Sequence, residues 1–480
     1  MKILHVSTEC YPAAKAGGLG DVVGALPKYL NNMKAEATVI IPKYGTKWIN
    51  TNKWKSVFKG TFNLYHQEIS FDIESLENSK KLLGFQLYVA NIPGKFDRSG
   101  VYLDPETNVG YGDEVERALC FQQATLKWVI SLGDKQPDII HCHDHHTGLI
   151  PFMMKHSYEY NSLHMIPSIF TIHNGEYHGD FRWERMYVLP YIDVDKRGLL
   201  DWGGVINPLA CGIKCCWSLT TVSPGYLEEL QIYSRGLESL LRDEAGKSQG
   251  ILNGIDTEVW DPKKDKFLHK KLAKNIATFK KENKKKLLEK FDVNGKYPLI
   301  TFIGRLAGEK GAQLLPNTIS NYIESGGKAS FIVLGTGDPH LHEAFSRMKE
   351  KYKGIFDVAL EYNEGLAHQL YAGSDFLIMP SKVEPCGLNQ MYALRYGTLP
   401  IVRSVGGLKD TIIDISNKKE GVGIRFDYFD TYNTYQAIER AVVLYDDKKT
   451  FETVRDRALT KDFSWEQSAQ TYLNLYKTLK

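Results

Sequence analysis

The 480 residues contain no run of about 18 consecutive apolar side chains, so no membrane-spanning helix is expected. The first residues, MKILHVS, read as a buried strand. A leader would need a longer apolar stretch and a small-residue cleavage site, so none is expected. Neither sign of charge dominates: 60 Lys and Arg face 57 Asp and Glu, for a net charge of +3. That balance gives no field for nucleic acid or for an anionic membrane. Cysteine is sparse and unpatterned. The seven cysteines form no CxxC pair and no disulfide framework, so a reducing, cytoplasmic setting is expected. GxGxxG is missing too, and no acidic residue ends the second strand, where Ile41-Pro42-Lys43 stands. A nicotinamide dinucleotide site is therefore unsupported.

What is present is a repeated strand–helix rhythm. Short apolar runs at residues 3–7, 37–42, 138–141, 168–173, 218–222, 299–304, 331–335, 375–380 and 399–402 alternate with stretches of helical period. Continuous apolar strands between helices indicate parallel sheets covered on both faces. The fold class is α/β, in doubly wound domains. Residues 57–73 and 82–92 alternate in the manner of antiparallel hairpins and read as an insertion. A boundary is expected near Asn253, giving one Rossmann-like domain over 1–253 and a second over 254–458. Residues 459–480 form a closing helix, capped by Ser464, that returns to the first domain. The lysine-rich stretch from Lys263 to Lys290 reads as a solvated helix face or as a weak attractor of anions.

The chemistry-bearing segments sit where strands end. Lys15-Ala16-Gly17-Gly18-Leu19-Gly20-Asp21 offers backbone amides and one cation to an anion, or serves only as a tight turn. His141-Cys142-His143-Asp144-His145-His146 allows three readings: a metal site, a polar ligand wall or a structural cluster. Alternate strand residues face opposite ways, so not all of them can converge on one ion. His173-Asn174 ends another strand. Arg305 and Lys310 flank a glycine loop and suit a diphosphate, unless both are solvated surface cations. Glu384 precedes a helix whose first amides, from Cys386, Gly387 and Leu388, are open to a sugar hydroxyl. Alternatively Glu384 only caps that helix. Gly406-Gly407-Leu408 repeats the strand–glycine–helix design as a phosphate cradle. Asp193-Val194-Asp195 fits the DxD pattern, which so short a motif meets by chance.

Taken in order, KAGGLGDV, HCHDHH, TIHN, VSPGY, LNGID, GRLAGEKG, LGTGDP, EPCGLNQ, ALRYGTLPIVR, GGLKDT and the terminal FSW helix resemble the bacterial glycogen synthases and plant starch synthases of glycosyltransferase family 5. The match runs from Lys2 to about Tyr476. The resemblance implies a GT-B fold, with two Rossmann-like domains facing across a cleft. It implies a retaining transfer of glucose from ADP-glucose to the non-reducing end of an α-1,4-glucan such as glycogen. No cofactor and no catalytic metal are expected, and the oligomeric state is left open.

By the same resemblance, Lys15 lies near the donor phosphates, with Gly18 and Asp21 beside it. Asp144 and His173 face the transferred glucose, and Asn174 binds substrate. Arg305 and Lys310 hold the diphosphate, and Glu384 holds the sugar with the amides of Cys386, Gly387 and Leu388. Tyr362 stacks on the base, Gly406, Gly407 and Leu408 bind phosphate, and Asn253 lies near the domain link. The chain departs from the usual family pattern at four places. His178 and Glu309 stand where Gln is common, Val383 where Phe is common, and Val405 where a hydroxyl residue often precedes the glycines.

Overall fold

The computed structural model describes residues 1–107 and 109–480. They form two compact units. One comprises Met1–Val222, Leu227–Leu252 and Trp465–Lys480; the other comprises Ser223–Tyr226 and Asn253–Ser464.

The first unit is built on a nine-stranded sheet. Its strands are β1 (Lys2–Val6), β2 (Glu36–Pro42), β3 (Trp54–Leu64), β4 (Gln67–Leu76), β5 (Gln86–Asn91), β6 (Ile139–His143) and β7 (Ser168–Ile172). After the two-residue ribbon β8 (Asp201–Trp202) and β9 (Val205–Ile206) come β10 (Ser218–Thr221) and β11 (Ser248–Gly250). The sheet order is β11-β10-β7-β6-β1-β2-β5-β4-β3. From β11 to β5 every neighbouring pair is parallel. The strands near the middle read ILHV and IIHCH and are buried along nearly their whole length, as expected for a sheet covered on both faces.

The alternating region behaves differently from one expectation. β3 and β4 form a long antiparallel hairpin, and β3 is largely exposed along its first half and buries Phe62 and Leu64 near its end. Residues 82–92 do not form a second hairpin. Ser79–Leu83 make a short helix ended by Gly84 at φ +82, and β5 then bridges the hairpin to the main sheet. It runs antiparallel to β4 on one side and parallel to β2 on the other. A left-handed glycine just past a helix is a common terminator, and the lysine and leucine residues before it are good helix formers.

Helix Gly18–Asn32 and the C-terminal helix Trp465–Thr478 share one apolar cluster. It includes Val22, Leu26, Tyr29, Trp465, Ala469, Tyr472 and Tyr476. The last helix therefore belongs to the first unit's core.

The second unit carries β12 (Leu299–Ile303), β13 (Ser330–Leu334), β14 (Phe356–Ala359), β15 (Phe376–Met379), β16 (Leu399–Arg403) and β17 (Ile424–Phe426). All pair in parallel, in the order β14-β13-β12-β15-β16-β17. The lysine-rich stretch is not simply solvated. Helix Ile276–Leu287 buries Lys280, whose ammonium donates to the Tyr371 and Tyr396 carbonyls and to the Thr398 hydroxyl. Lys284 pairs with buried Asp375 at 2.8 Å. These lysines tie the helix to Asp375 and Thr398, the residues just before β15 and β16.

In each sheet the strand order reverses once beside the first strand: between β1 and β6, and between β12 and β15. Connections leave these neighbours in opposite directions, so their carboxyl ends diverge and leave a crevice for ligands. Lys15, Asp144, Arg305, Lys310 and Glu384 follow those four strands, while His173 and Asn174 follow β7, Asn253 follows β11, Tyr362 follows β14 and Gly406–Leu408 follow β16. No helix among the described residues is long and apolar enough to cross a membrane.

Candidate functional site

At the first reversal point, β1 runs into the glycine loop. The loop does not wait for an anion along its whole length. The carboxylate of Glu9 accepts from the amides of Ala16 and Gly17 at 2.6 and 2.8 Å. Its other oxygen accepts from the Tyr102 hydroxyl at 2.7 Å. The first loop amides are thus filled internally, which corrects a cradle drawn over the entire loop. Beyond them the helix begins at Gly18, beside which no atom would lie within 4 Å of an added side chain. Lys15 and Asp21, expected as ligand contacts, form an ion pair at 2.6 Å. Glu9 is a site residue the sequence reading missed. Its signal is a carboxylate placed directly after an apolar strand, where burial demands a partner.

Asp144 follows β6 with φ +57 and ψ 175, a conformation that costs a non-glycine residue of the order of 1–3 kcal/mol. Oδ1 accepts from the amides of His173 and Asn174 at 2.7 and 3.3 Å. The strained residue thereby organises the turn after β7. Burial pushes its carboxyl up to about 6, against the two amide bonds, which act to lower it. The resemblance placed Asp144 and His173 at the transferred sugar and Asn174 among the substrate-binding residues; here the Asp144 carboxylate holds the backbone amides of the other two.

Around them the histidines form a connected strip on one face of the sheet. His5 Nδ1 lies 3.1 Å from His143 Nε2, and His143 Nδ1 lies 2.9 Å from His173 Nε2. His141 uses both ring nitrogens, one on the Tyr476 hydroxyl at 2.8 Å and one on Thr171 at 2.6 Å. Among the described residues, His5, His141 and His143 are near enough to share an ion, as are Glu114, His145 and His146. In the first group the nitrogens of His141 and His143 are all hydrogen-bonded, so their lone pairs do not converge. In the second, His145 and His146 Nε2 lie 3.6 and 3.4 Å from the Glu114 carboxylate, at the wall of a pocket shared with Asp180 and Phe181. Their Nδ1 atoms are buried without partners, and a metal-binding histidine normally has such a partner on its other nitrogen. The DxD segment is a cap: Asp193 accepts from the amide of Asp195 at the start of a 3-10 turn.

At the second reversal point, Lys310 follows β12 and Glu384 follows β15. The Lys310 ammonium lies 2.8 Å from each oxygen of Glu384, and the Ser381 hydroxyl donates to the same carboxylate at 3.0 Å. Glu384 is only 5% exposed. The sequence assigned the two residues separately, one to phosphate and one to sugar. In the structure they are one unit, a cation held by a buried carboxylate. Arg305 pairs with Glu309 at 2.7 Å on an exposed surface.

Glu384, Cys386 and the glycine pair interlock. A side chain on Gly406 would meet the Glu384 carbonyl at 2.1 Å, and one on Gly407 would meet the Cys386 carbonyl at 2.1 Å. The Gly407 amide donates to the Glu384 and Pro385 carbonyls, and the Leu408 amide to Val405. These two amides are therefore spent within the unit, which corrects the expectation of a cradle open along all of residues 406–408. The amides of Cys386, Gly387 and Leu388 have no acceptor among the described residues. Gly387 sits at φ +71, which a side chain would strain. Asn253 is buried with Oδ1 unpartnered, and its backbone amide bonds the Cys386 thiol. Tyr362 is 85% exposed, just before helix Glu364–Gly373. The geometry thus supplies a fixed cation, open amides, a buried carboxylate and an exposed aromatic ring in one unit, and a strained aspartate over a histidine turn in the other.

Comparison with known proteins gives two family matches. Residues 2–243 match the starch synthase catalytic domain, and residues 283–422 match the glycosyl transferases group 1. The chain is 45% identical to a glycogen synthase of Flavobacterium johnsoniae, over 100% of this chain and 99% of that one. It is 36% identical to a glycogen synthase of Alkaliphilus metalliredigens over the full length of both. Among solved structures, it superposes on the catalytic domain of starch synthase IV from Arabidopsis thaliana bound to ADP and acarbose, with a TM-score of 0.85. That pair shares 31% identity and covers 100% of this chain and 99% of the other. A sucrose-phosphate synthase from Thermosynechococcus elongatus, 16% identical, matches 99% of this chain and 98% of its own at a TM-score of 0.62, a likeness of fold.

Proposed function

The chain belongs to the family of bacterial glycogen synthases and starch synthases, GT-B glycosyltransferases, and from that premise we propose how its residues carry the reaction. It is a glycogen synthase: glucose passes from ADP-glucose to the 4-hydroxyl at the non-reducing end of an α-1,4-glucan, with retention of configuration. The observation that carries the reading is the Lys310–Glu384 pair beside the open amides of Cys386, Gly387 and Leu388.

Breaking the anomeric bond places negative charge on the leaving diphosphate and positive charge on the sugar. Lys310 and Arg305 are the cations for the diphosphate; within the other unit, Lys15 and the start of helix Gly18–Asn32 carry charge of the same sign. Because Glu384 already holds the ammonium of Lys310, little reorganisation accompanies reaction, and preorganised charge of this kind is commonly the largest catalytic contribution. The open amides of residues 386–388 bind sugar hydroxyls, and Tyr362 stacks on the base. The His173 carbonyl meets the positive charge that develops on the sugar ring.

Retention through a double displacement needs a carboxylate free to attack. Glu384 is engaged with Lys310, and Oδ1 of Asp144 with the His173 and Asn174 amides. These engagements favour same-face attack, in which a leaving-phosphate oxygen takes the proton of the acceptor hydroxyl. Seven buried, unpaired cysteines accord with action in the cytoplasm.

The test is ADP release and chain extension with Cys386→Pro beside the parent enzyme. Loss of that amide is expected to raise KM for ADP-glucose. An unchanged KM would remove the amides from the donor site.

A further inference from the structure

Glu9 follows β1 and is 2% exposed, yet its hydrogen-bond partners are two backbone amides and a hydroxyl, all neutral. Burying a carboxylate without a cation is costly, and a well-packed apolar side chain would fill the same space at lower free energy. What an apolar group could not do is hold two segments at once. The two oxygens of Glu9 do so, one for each segment.

Oε2 holds the glycine loop. Cys10 and Ala14 close the near half of that loop through two backbone bonds of 2.9 Å. The far half, residues 15–18, is exposed. Among the described residues, the acceptor that the Ala16 and Gly17 amides meet is this one oxygen, at 2.6 and 2.8 Å. The same oxygen reaches the first turn of helix Gly18–Asn32, where a side chain on Gly20 would meet it at 3.1 Å. Gly17 and Gly18 leave the segment wide conformational freedom, so Glu9 sets its path, and with it the path of Lys15 just before them.

Oε1 holds Tyr102, from the connection between β5 and helix Glu114–Ser131, at 2.7 Å. The Thr8 hydroxyl lies 3.0 Å from the same phenol oxygen. The Tyr102 ring stacks on His146, with centroids 5.0 Å apart and planes at 22°. His146 stands two residues past the strained Asp144. One buried carboxylate therefore joins the segment that carries Lys15 to the segment packed on the turn after β6.

We propose that Glu9 is a positioning residue that holds the Lys15 loop and Tyr102 in a fixed relation, so that a change at either one reaches the other. What the tie serves rests on the synthase reading: that reading gives Lys15 to the donor phosphates, so the tie acts on ADP-glucose. The coupling itself does not depend on that reading.

The test uses three variants. Tyr102→Phe removes the hydroxyl and keeps the ring on His146. Glu9→Gln keeps an acceptor for the loop amides, now a neutral one, and its own amide can donate to the Tyr102 oxygen. Glu9→Ala removes both ties. Hydrogen exchange followed by mass spectrometry reads residues 9–20 in the protein without substrate. Steady-state assays give KM and kcat with ADP-glucose and glycogen varied separately. Exchange in that segment is expected to quicken about 10-fold in Glu9→Ala and about 3-fold in Tyr102→Phe, although Tyr102 lies outside it. KM for ADP-glucose is expected to rise about 10-fold in Glu9→Ala and about 3-fold in Glu9→Gln, with KM for glycogen unchanged. Adding Tyr102→Phe to Glu9→Ala should raise KM for ADP-glucose no further, because the tie is already gone.

Parental exchange of residues 9–20 in Tyr102→Phe would overturn the proposal, and so would additive KM effects in the double variant. A Glu9→Ala variant with a lower unfolding midpoint and lower kcat but parental KM would show a merely structural carboxylate, and would overturn it too. If Glu9→Ala fails to fold, exchange in Tyr102→Phe and KM in Glu9→Gln still decide. If exchange is coupled but the parent enzyme turns over no ADP-glucose, the tie stands and the assigned reaction falls.

Discussion

Replacing Lys310 by alanine separates two roles that the structure merges. The ammonium sits 2.8 Å from both oxygens of a carboxylate that is 5% exposed. With charge centres about 3.5 Å apart and an effective dielectric of about 20, the gross attraction is about 5 kcal/mol. Desolvation of Glu384 offsets much of it, so the coupling expected in a double-mutant cycle is about 1–3 kcal/mol. Lys310→Ala leaves Glu384 with only the Ser381 hydroxyl, and its unfolding midpoint falls. Lys310→Ala/Glu384→Gln removes the stranded charge and recovers much of that stability. Turnover behaves differently. If the lysine neutralises the leaving diphosphate, both variants lose about 10²–10³-fold in kcat, the range for one preorganised donor. Urea unfolding and ADP release from the four proteins of the cycle give both numbers. Recovery of kcat in the double variant would refute the reasoning, because the lysine would then serve Glu384 and not the phosphates.

Three further outcomes follow from particular residues. Asp144 titrates near 6 in the folded protein, above its ordinary value of 3.8. Between those values the unfolded chain is ionised while the folded one holds its proton. Stability should therefore fall by about 3 kcal/mol as pH rises through that window, and activity should rise as the carboxylate ionises; Asp144→Asn should abolish both slopes. Glu309→Gln removes the carboxylate 2.7 Å from Arg305, and a surface pair of this kind is worth up to about 1 kcal/mol. KM for ADP-glucose should fall by up to about 5-fold in steady-state assays, and a raised KM would contradict a phosphate role for Arg305. Gly407→Ala places a methyl group 2.1 Å from the Cys386 carbonyl. Overpacking should lower the unfolding midpoint by about 1–3 kcal/mol and weaken ADP binding by calorimetry, and wild-type values for both would show that the two loops do not set each other's position.

The parallel sheets were legible because apolar strands such as IIHCH and LITFI carry their own pattern, and glycine turns mark their ends. Asp144 and Glu384 could be named because each follows a strand at a point where sheet order reverses, and His173 because it follows the neighbouring strand β7. Two things were not legible. Residues 82–92 alternate like a hairpin, but that their one strand pairs antiparallel with β4 and also parallel with β2 of the main sheet is decided by long-range packing. Partnership within the site was also hidden. The sequence shows amides at Ala16 and Gly17 but not that Glu9 reaches back to fill them, and it shows Lys310 and Glu384 but not that 74 residues of chain return to pair them. Lys280 is the same lesson in reverse. One lysine among many reads as solvated, and only the surrounding carbonyls explain its burial.

The central claim is that these residues move glucose from ADP-glucose to a glucan by fixed protein cations. The measurement that meets it most directly is diphosphate release from ADP-glucose and from UDP-glucose, each with and without glycogen, in EDTA. The account predicts glycogen-dependent ADP release with lengthened α-1,4 chains. Release with UDP-glucose alone would overturn the donor, and no release from either would contradict the reaction itself.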